Sequence, residues 1–256
     1  MQAQEVKQIL LLGKGYVTEF FKAKINHYFP FAELSITSRT KQDCIYFQLE
    51  DQSSWDNIIN HYDVCVWTFP VYDLRLFQEF YIQKNQFFKK LILIGTTSSY
   101  KIEYDQQEVN EHSTLDTEHK RYPVENYFVQ QSGVILRSAG IYGPEKNPID
   151  WALKGKIKSS KQKLVNWVHV YDLVQFIAHT ILYGKSGNSY IAADGCPIAW
   201  QEFYDYFKVL PVKEDAEQKN QSKKINNQWT VQQLKIDLAY PSILHDELKY
   251  SALTKT

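Results

Sequence analysis

Glycine, cysteine and net charge are all in short supply. The 256 residues contain ten glycines and three cysteines, and 29 basic side chains are balanced by 29 acidic ones. Zero net charge removes the electrostatic term that dominates nucleic-acid binding, so no nucleic-acid partner is expected. Cys44, Cys65 and Cys196 lie far apart and form no CxxC pair. That argues against a disulfide framework and a cysteine zinc site, and it suits a reducing cytoplasm. Long apolar runs are missing too. Ile9 to Leu12 is too short for a signal-peptide core or a bilayer span, so a cytoplasmic protein with no membrane partner is expected. With glycine this scarce, collagen-like and low-complexity classes are excluded and the place of each glycine becomes informative.

Aromatic residues, by contrast, reach 15%, with 18 Tyr, 14 Phe and 6 Trp. The length suits one large α/β unit with an ample core. Val6 to Leu12 reads as a buried strand ending in Gly13, and Tyr16 to Phe29 as an amphipathic helix. Further strands are expected at Leu34–Thr37, Tyr46–Leu49, Asp63–Phe69, Leu91–Gly95 and Val134–Leu136. Helices are expected at Trp55–His61, Asp73–Asn85 and within Thr114–Gln131, the last begun or interrupted by Pro123. Such alternation implies right-handed crossovers and a doubly wound parallel sheet, with ligands at the carboxyl ends of its strands.

After Arg137 the rhythm changes. A short helix near Ile149–Leu153 precedes a lysine-rich stretch, Lys154 to Lys163, that reads as a solvated face or a contact for substrate phosphates. A strand at Leu164–Val168, a helix at Tyr171–Tyr183, a strand at Ser189–Ala192 and a helix at Ile198–Leu210 follow, and Pro211–Asn227 reads as an exposed loop. Residues 1–165 are read as the core and 166–256 as an appendage on the substrate side, joined without a linker.

The strongest local motif is ILLL followed by GKGYVT at 13–18. Gly13 and Gly15 fill the first two places of GxGxxG, the dinucleotide fingerprint in which backbone N–H groups approach a pyrophosphate; Thr18 stands at the third. About 20 residues on, Ile36-Thr37-Ser38-Arg39-Thr40 offers no carboxylate for a ribose diol. Arg39 can pair with a 2′-phosphate and Thr37, Ser38 and Thr40 can donate, so NADP is preferred over NAD. The plain alternative is that Arg39 caps a surface turn.

LILIGTTSSYK (91–101), ENYFVQQSGVILRSAGIYGPEKNP (125–148), NWVHVYDLVQFI (166–177), GNSYIAADGCPIAWQEFYDYF (187–207) and LAYPSI (238–243) together resemble the extended short-chain dehydrogenase/reductases. Within them they are similar to the atypical YeeZ-like, NAD-dependent epimerase/dehydratase-like group. The resemblance implies an NAD(P)-binding Rossmann fold. It also implies cofactor contacts from Gly13, Gly15, Tyr16, Val17, Ser38, Arg39, Thr68, Phe69, Pro70, Thr96, Ala139, Gly140 and Ile141.

That family uses a Tyr-x-x-x-Lys pair on the helix after the fifth strand. Matching Glu125 to the glutamate that follows the family lysine puts Arg121 at the lysine and Thr117 at the tyrosine. Tyr142/Lys146 and Tyr204/Lys208 have the spacing but lie outside that helix, and about two such pairs are expected by chance among so many tyrosines and lysines. The catalytic candidates are therefore Thr97 as orienting group, Arg121 as an electrostatic helper that cannot be deprotonated, and Tyr100, with Tyr122, as substitute acids or packing residues. Substrate contacts are assigned to Arg137, Asn166 and His169. Arg137 has the alternative of pairing with Glu111 or Glu125. His169 has no second ligand at metal spacing, and Asp172 suits the first turn of the following helix.

Three readings stay open: an oxidoreductase or nucleotide-sugar epimerase/dehydratase acting on a small molecule; a dinucleotide-binding or redox-sensing protein without turnover; and a Rossmann-like interaction module. In the family, the helices at 73–85 and 114–131 pair into a homodimer.

Overall fold

The computed structural model describes residues 2–40, 43–209 and 221–244. The elements of the first half are β1 (Gln8–Leu12), α1 (Tyr16–Tyr28), β2 (Glu33–Ser38), β3 (Ile45–Tyr46), β4 (Val64–Trp67), α2 (Leu74–Lys84), β5 (Leu91–Thr96), β6 (Gln107–Val109) and α3 (Tyr122–Gln130). The second half adds β7 (Val134–Ser138), β8 (Gly140–Tyr142), α4 (Pro148–Leu153), β9 (Leu164–Val165), β10 (Trp167–His169), α5 (Val170–Tyr183), β11 (Ser189–Ala192), β12 (Ile198–Ala199), α6 (Trp200–Phe207), β13 (Lys223–Ile225) and α7 (Gln228–Leu234).

Seven strands form one parallel sheet in the order β11-β7-β5-β4-β1-β2-β3. Successive side chains of a strand point to opposite faces, and a sheet covered on both faces needs apolar residues at both parities. In β1, Ile9 and Leu11 join Phe21, Ile25, Val174 and Ile177 on the face covered by α1 and α5. Leu10 and Leu12 join Trp55, Trp67, Phe77, Phe80 and Phe128 on the face covered by α2 and α3. A third cluster, built on Tyr142, Ile149, Trp167, Trp200 and Phe203, holds the C-terminal elements together. This is the doubly wound fold expected from the alternation.

Several elements differ from expectation. The strand expected at Tyr46–Leu49 is only Ile45–Tyr46; beyond it Phe47 and Leu49 turn into the core. The helix expected at Trp55–His61 is a 3-10 turn, Gln52–Asn57, begun by the Asp51 carboxylate accepting from the Ser53 N–H. α3 starts only at Tyr122, with Pro123 in its first turn, where a missing N–H costs nothing. The strand expected at Leu164–Val168 is split at Asn166, whose side chain accepts from the Ile225 N–H and donates to the Lys223 carbonyl. Those bonds hold β13, which pairs in parallel with β6, so residues 223–225 are not loop. Residues 211–220 of that expected loop, like the Leu210 end of the preceding helix, lie outside the described residues. Among the described residues no helix is long and apolar enough to cross a membrane.

Candidate functional site

The turn between β1 and α1 is built by three backbone demands. Gly13 sits at φ +104°, and a Cβ there would lie 2.9 Å from both Thr68 Oγ1 and Phe69 Cδ1. Only glycine avoids both the strain and the collision. Its N–H donates to Thr37 Oγ1 at 2.9 Å, tying the turn to the end of β2. Thr68 Oγ1 donates to the Leu12 carbonyl at 2.8 Å, tying it to the exit of β4. Gly15, by contrast, has nothing within 4 Å of an added Cβ, and it begins α1 with no side-chain cap. The first N–H groups of α1 thus have no side-chain cap, and Gly15 sets no side chain beside them, the arrangement that suits an anion.

Thr18, where the third glycine was expected, is fully buried, and its hydroxyl donates to the Gly13 carbonyl at 2.7 Å. It braces the turn from beneath and leaves the open side clear.

Above this turn lies a cavity of about 590 Å³ at the carboxyl ends of β1, β2 and β4. Gly13, Gly15, Ser38, Arg39, Thr68, Phe69 and Pro70 line it, seven of the residues assigned to a cofactor from sequence. The wall also holds Lys14, Phe47, Leu49, Glu50 and Tyr72, which the sequence reading passed over. Phe47 and Leu49 follow β3, which ends at Tyr46; the expected strand ran on to Leu49 and so counted both within it instead of beyond its carboxyl end. Asp73 borders the cavity as well, with its carboxylate committed to the Leu76 N–H at the start of α2.

A second cavity of about 460 Å³ is lined by Tyr72, Thr96, Ser98, Asp116, Glu118, His119, Lys120 and Arg121, so Tyr72 borders both. Arg121 is the residue before α3, and its guanidinium lies 5.9 Å from the Tyr72 ring centre. The chain leaves β5 through a 3-10 turn, Thr97–Ser99, whose N-cap Thr96 accepts from the Ser98 N–H. Thr96 and Ser98 border the cavity, whereas Thr97 is 6% exposed and does not. Tyr100 is buried beneath the turn, and burial holds its phenol well above the ordinary tyrosine range.

Other assigned residues lie apart from the cavities. Arg137 is 2% exposed and donates to Glu125 Oε2 at 3.0 Å; Ser99 Oγ donates to the same oxygen at 3.3 Å. Tyr16 donates its hydroxyl to the Pro144 carbonyl at 2.6 Å, joining the start of α1 to the turn after β8. Val17 is partly buried, packed against the sheet core. Ala139 donates its N–H to the Ala192 carbonyl, Gly140 to that of Asn166, and Ile141 pairs with Val168 in the ladder of β8 and β10. His169 begins α5, accepting from the Tyr171 N–H, and stacks on Tyr240 with ring centres 3.7 Å apart. Among the described residues no group of His, Cys, Asp and Glu is arranged to hold a metal.

No protein-family model matches the sequence, and no curated protein matches it. Solved structures do match. The dTDP-glucose 4,6-dehydratase of Bacillus anthracis, determined in complex with NAD, superposes with TM-score 0.78 at 14% identity, covering 97% of each chain. The ADP-L-glycero-D-manno-heptose-6-epimerase of Helicobacter pylori gives 0.76 at 15% identity, covering 100% of this chain and 99% of its own. A conserved protein of unknown function from Silicibacter pomeroyi gives 0.71 at 20% identity, covering 97% and 98%. The chain has their fold. It is the Rossmann-type fold of epimerases and dehydratases, over nearly the full length of each protein, as the sequence resemblance implied.

Proposed function

We propose that the chain binds a nicotinamide dinucleotide along the two cavities that Tyr72 borders and acts on a small molecule in the second. The supporting observation is the Gly13–Gly15 turn, where a glycine forced by φ +104° adjoins an uncapped helix start with free space beside it. The pyrophosphate is assigned to that turn, the adenosine half to the wall of Ser38, Arg39, Phe47 and Phe69, and the nicotinamide half to the side of Thr96 and Arg121. A bound nicotinamide supplies a hydride acceptor or donor. Thr96 and Ser98 are assigned the hydroxyls that orient a substrate oxygen, taking the place first given to Thr97, and Arg121 holds a ribose or phosphate oxygen.

The substrate class is a nucleotide-linked sugar, by analogy with the dehydratase and epimerase of the same fold. NADP is preferred, because Arg39 stands exposed on the wall for a 2′-phosphate; Glu50, also on the wall, is the feature that favours NAD.

Thermal unfolding in the presence of NAD, NADH, NADP and NADPH tests the reading. A ligand at 100 times its Kd stabilises the folded chain by about 2.7 kcal/mol, and NADPH is expected to raise Tm most. No shift with any of the four would leave a Rossmann-like interaction module. A dinucleotide-binding protein without turnover is the second reading, favoured by Thr117 and Arg121 at the places matched to the family's Tyr and Lys. Nicotinamide absorbance with a panel of sugar nucleotides and small carbonyl compounds separates it from an enzyme. A homodimer is proposed through α2 and α3, which pack on each other through Phe77, Tyr81 and Tyr127 and leave Ile82 71% exposed. Sedimentation as a monomer at micromolar concentration would dispose of it.

A further inference from the structure

The second cavity holds a histidine that the sequence reading passed over. His119 borders it together with Thr96, Ser98 and Arg121, two residues past Thr117, the place matched to the family's tyrosine. Thr117 is exposed and borders neither cavity, and the same holds of Tyr100 and Tyr122, the tyrosines named as substitute acids. His119 is half-buried, and the bend before α3 fixes it at three atoms. Its N–H donates to the Asp116 carbonyl at 3.1 Å, its carbonyl accepts from the Tyr122 N–H at 2.8 Å, and its ring Nδ1 accepts from the Arg121 N–H at 3.3 Å. A ring nitrogen that accepts carries no proton, so this pattern assigns the proton of the imidazole to Nε2. Nε2–H has no acceptor among the described residues and is the polar group that His119 has left to offer. The charged groups on the same wall are Asp116, Glu118, Lys120 and Arg121; the Asp116 carboxylate accepts from the Glu118 N–H at 3.0 Å and so belongs to the bend.

We infer that His119 Nε2–H is the donor that holds the reacting oxygen of the substrate in the second cavity, a neutral imidazole standing in for the missing tyrosine. This rests on the dinucleotide reading above and adds the group that serves the oxygen. When a carbonyl carbon accepts a hydride, the C=O electron pair moves onto its oxygen, and a fixed donor aimed at that oxygen stabilises the charge as it develops. A neutral imidazole polarises a carbonyl in this way without giving up its proton. His119 keeps Nε2–H throughout, because losing it would leave an imidazolate, and solvent supplies the proton that turns the alkoxide into an alcohol. In the reverse direction solvent takes the hydroxyl proton, and His119 holds the alkoxide while hydride leaves carbon for the nicotinamide. The Arg121 N–H, at the start of α3, fixes both the tautomer and the tilt of the ring.

Two amide variants separate the two ring nitrogens. His119→Asn puts an oxygen near the place of Nδ1, where it accepts from the Arg121 N–H, and removes the outer donor. His119→Gln reaches the place of Nε2 with an N–H and removes the inner acceptor. The probe is 4-nitrophenolate at about pH 8, added to the full chain saturated with NAD or NADP, whichever raises Tm more. Its anionic oxygen stands for the alkoxide, and its absorbance reports binding. His119→Asn is expected to weaken phenolate binding about tenfold or more with Tm unchanged, and His119→Gln to keep it within about threefold. Unchanged binding in the Asn variant would overturn the inference. So would equal weakening in both variants, which would leave the ring a structural role alone, and so would no phenolate binding by the loaded chain. A second readout needs no ligand: long-range 1H–15N correlation of the chain with 15N-labelled histidine, His119 being the signal that its variants lack. The Nε2–H tautomer is expected, and a proton on Nδ1 would overturn the inference. All of these outcomes leave the dinucleotide reading intact. If no nucleotide shifts Tm, that reading itself fails and this inference goes with it.

Discussion

Gly13 and Gly15 share a motif but answer to different physics. Gly13 is required by the fold: φ +104° and two contacts at 2.9 Å mean that Gly13→Ala should cost about 1–3 kcal/mol, read as a lower urea midpoint. Gly15 has open space, so Gly15→Ala should leave that midpoint nearly unchanged and weaken dinucleotide binding by filling the approach to the helix start. Equal loss of stability in both variants would refute this division. The buried Arg137–Glu125 pair gives a second contrast. Removing one partner strands a buried charge, so Arg137→Met alone should cost about 3–5 kcal/mol and Arg137→Met with Glu125→Leu much less. At this scale the sequence was legible where a residue type is forced by backbone geometry, as at Gly13. It was not legible at Thr96 and Thr97, adjacent and alike, because which one borders the cavity depends on how the chain leaves β5.

Among the elements, those with sustained periodicity could be read from sequence: β1, α1, α2, β5, α5 and β11 fall within a residue or two of expectation. The misread elements are short, and tertiary contacts define them. β13 is three polar-flanked residues held by β6 and Asn166, so no periodicity announces it. The end of α5 shows the same dependence. Lys90, just before β5, donates to the Thr180, Ile181 and Gly184 carbonyls at 2.7, 2.9 and 2.6 Å, satisfying acceptors that a helix C-terminus leaves open. Lys90→Met keeps the apolar stem and removes the donor from the Ile181 and Gly184 carbonyls, while that of Thr180 keeps the Gly184 N–H. It should cost about 1–3 kcal/mol and speed amide exchange at the end of α5. Exchange rates there that match the unaltered chain would show the ammonium to be dispensable.

At the scale of the whole molecule, the C-terminal segment is drawn back across the body by two carboxylates. Asp172, in the first turn of α5, accepts the N–H groups of Ala239 and Tyr240 at 3.0 and 2.9 Å. Asp194, just past β11, accepts the backbone N–H of Ile243 as well as that of Cys196, the latter at 3.0 Å, and Tyr142 reaches the Ser242 carbonyl from the third core cluster. Burial raises the Asp172 carboxyl and pushes Asp194 up to about 7, the backbone donors offsetting only part of it. A free aspartate titrates near pH 4. Between about pH 4 and pH 7 the unfolded chain therefore releases protons that the folded chain retains, so the contribution of these two carboxyls is fully present below this window and is lost as pH rises through it. Asp51, Asp63 and Asp105 are shifted downward, and their contributions are lost only at more acidic pH, outside the window. Urea unfolding from pH 4.5 to pH 8 should show a midpoint that declines and then levels off above neutrality. Asp194→Asn, which keeps an acceptor oxygen and removes the titration, should flatten most of that slope. A midpoint that climbs between pH 5 and pH 7 in the unaltered chain would mean that Asp194 is ionised in the fold, and that the segment is anchored by charge instead of by a carboxyl kept neutral.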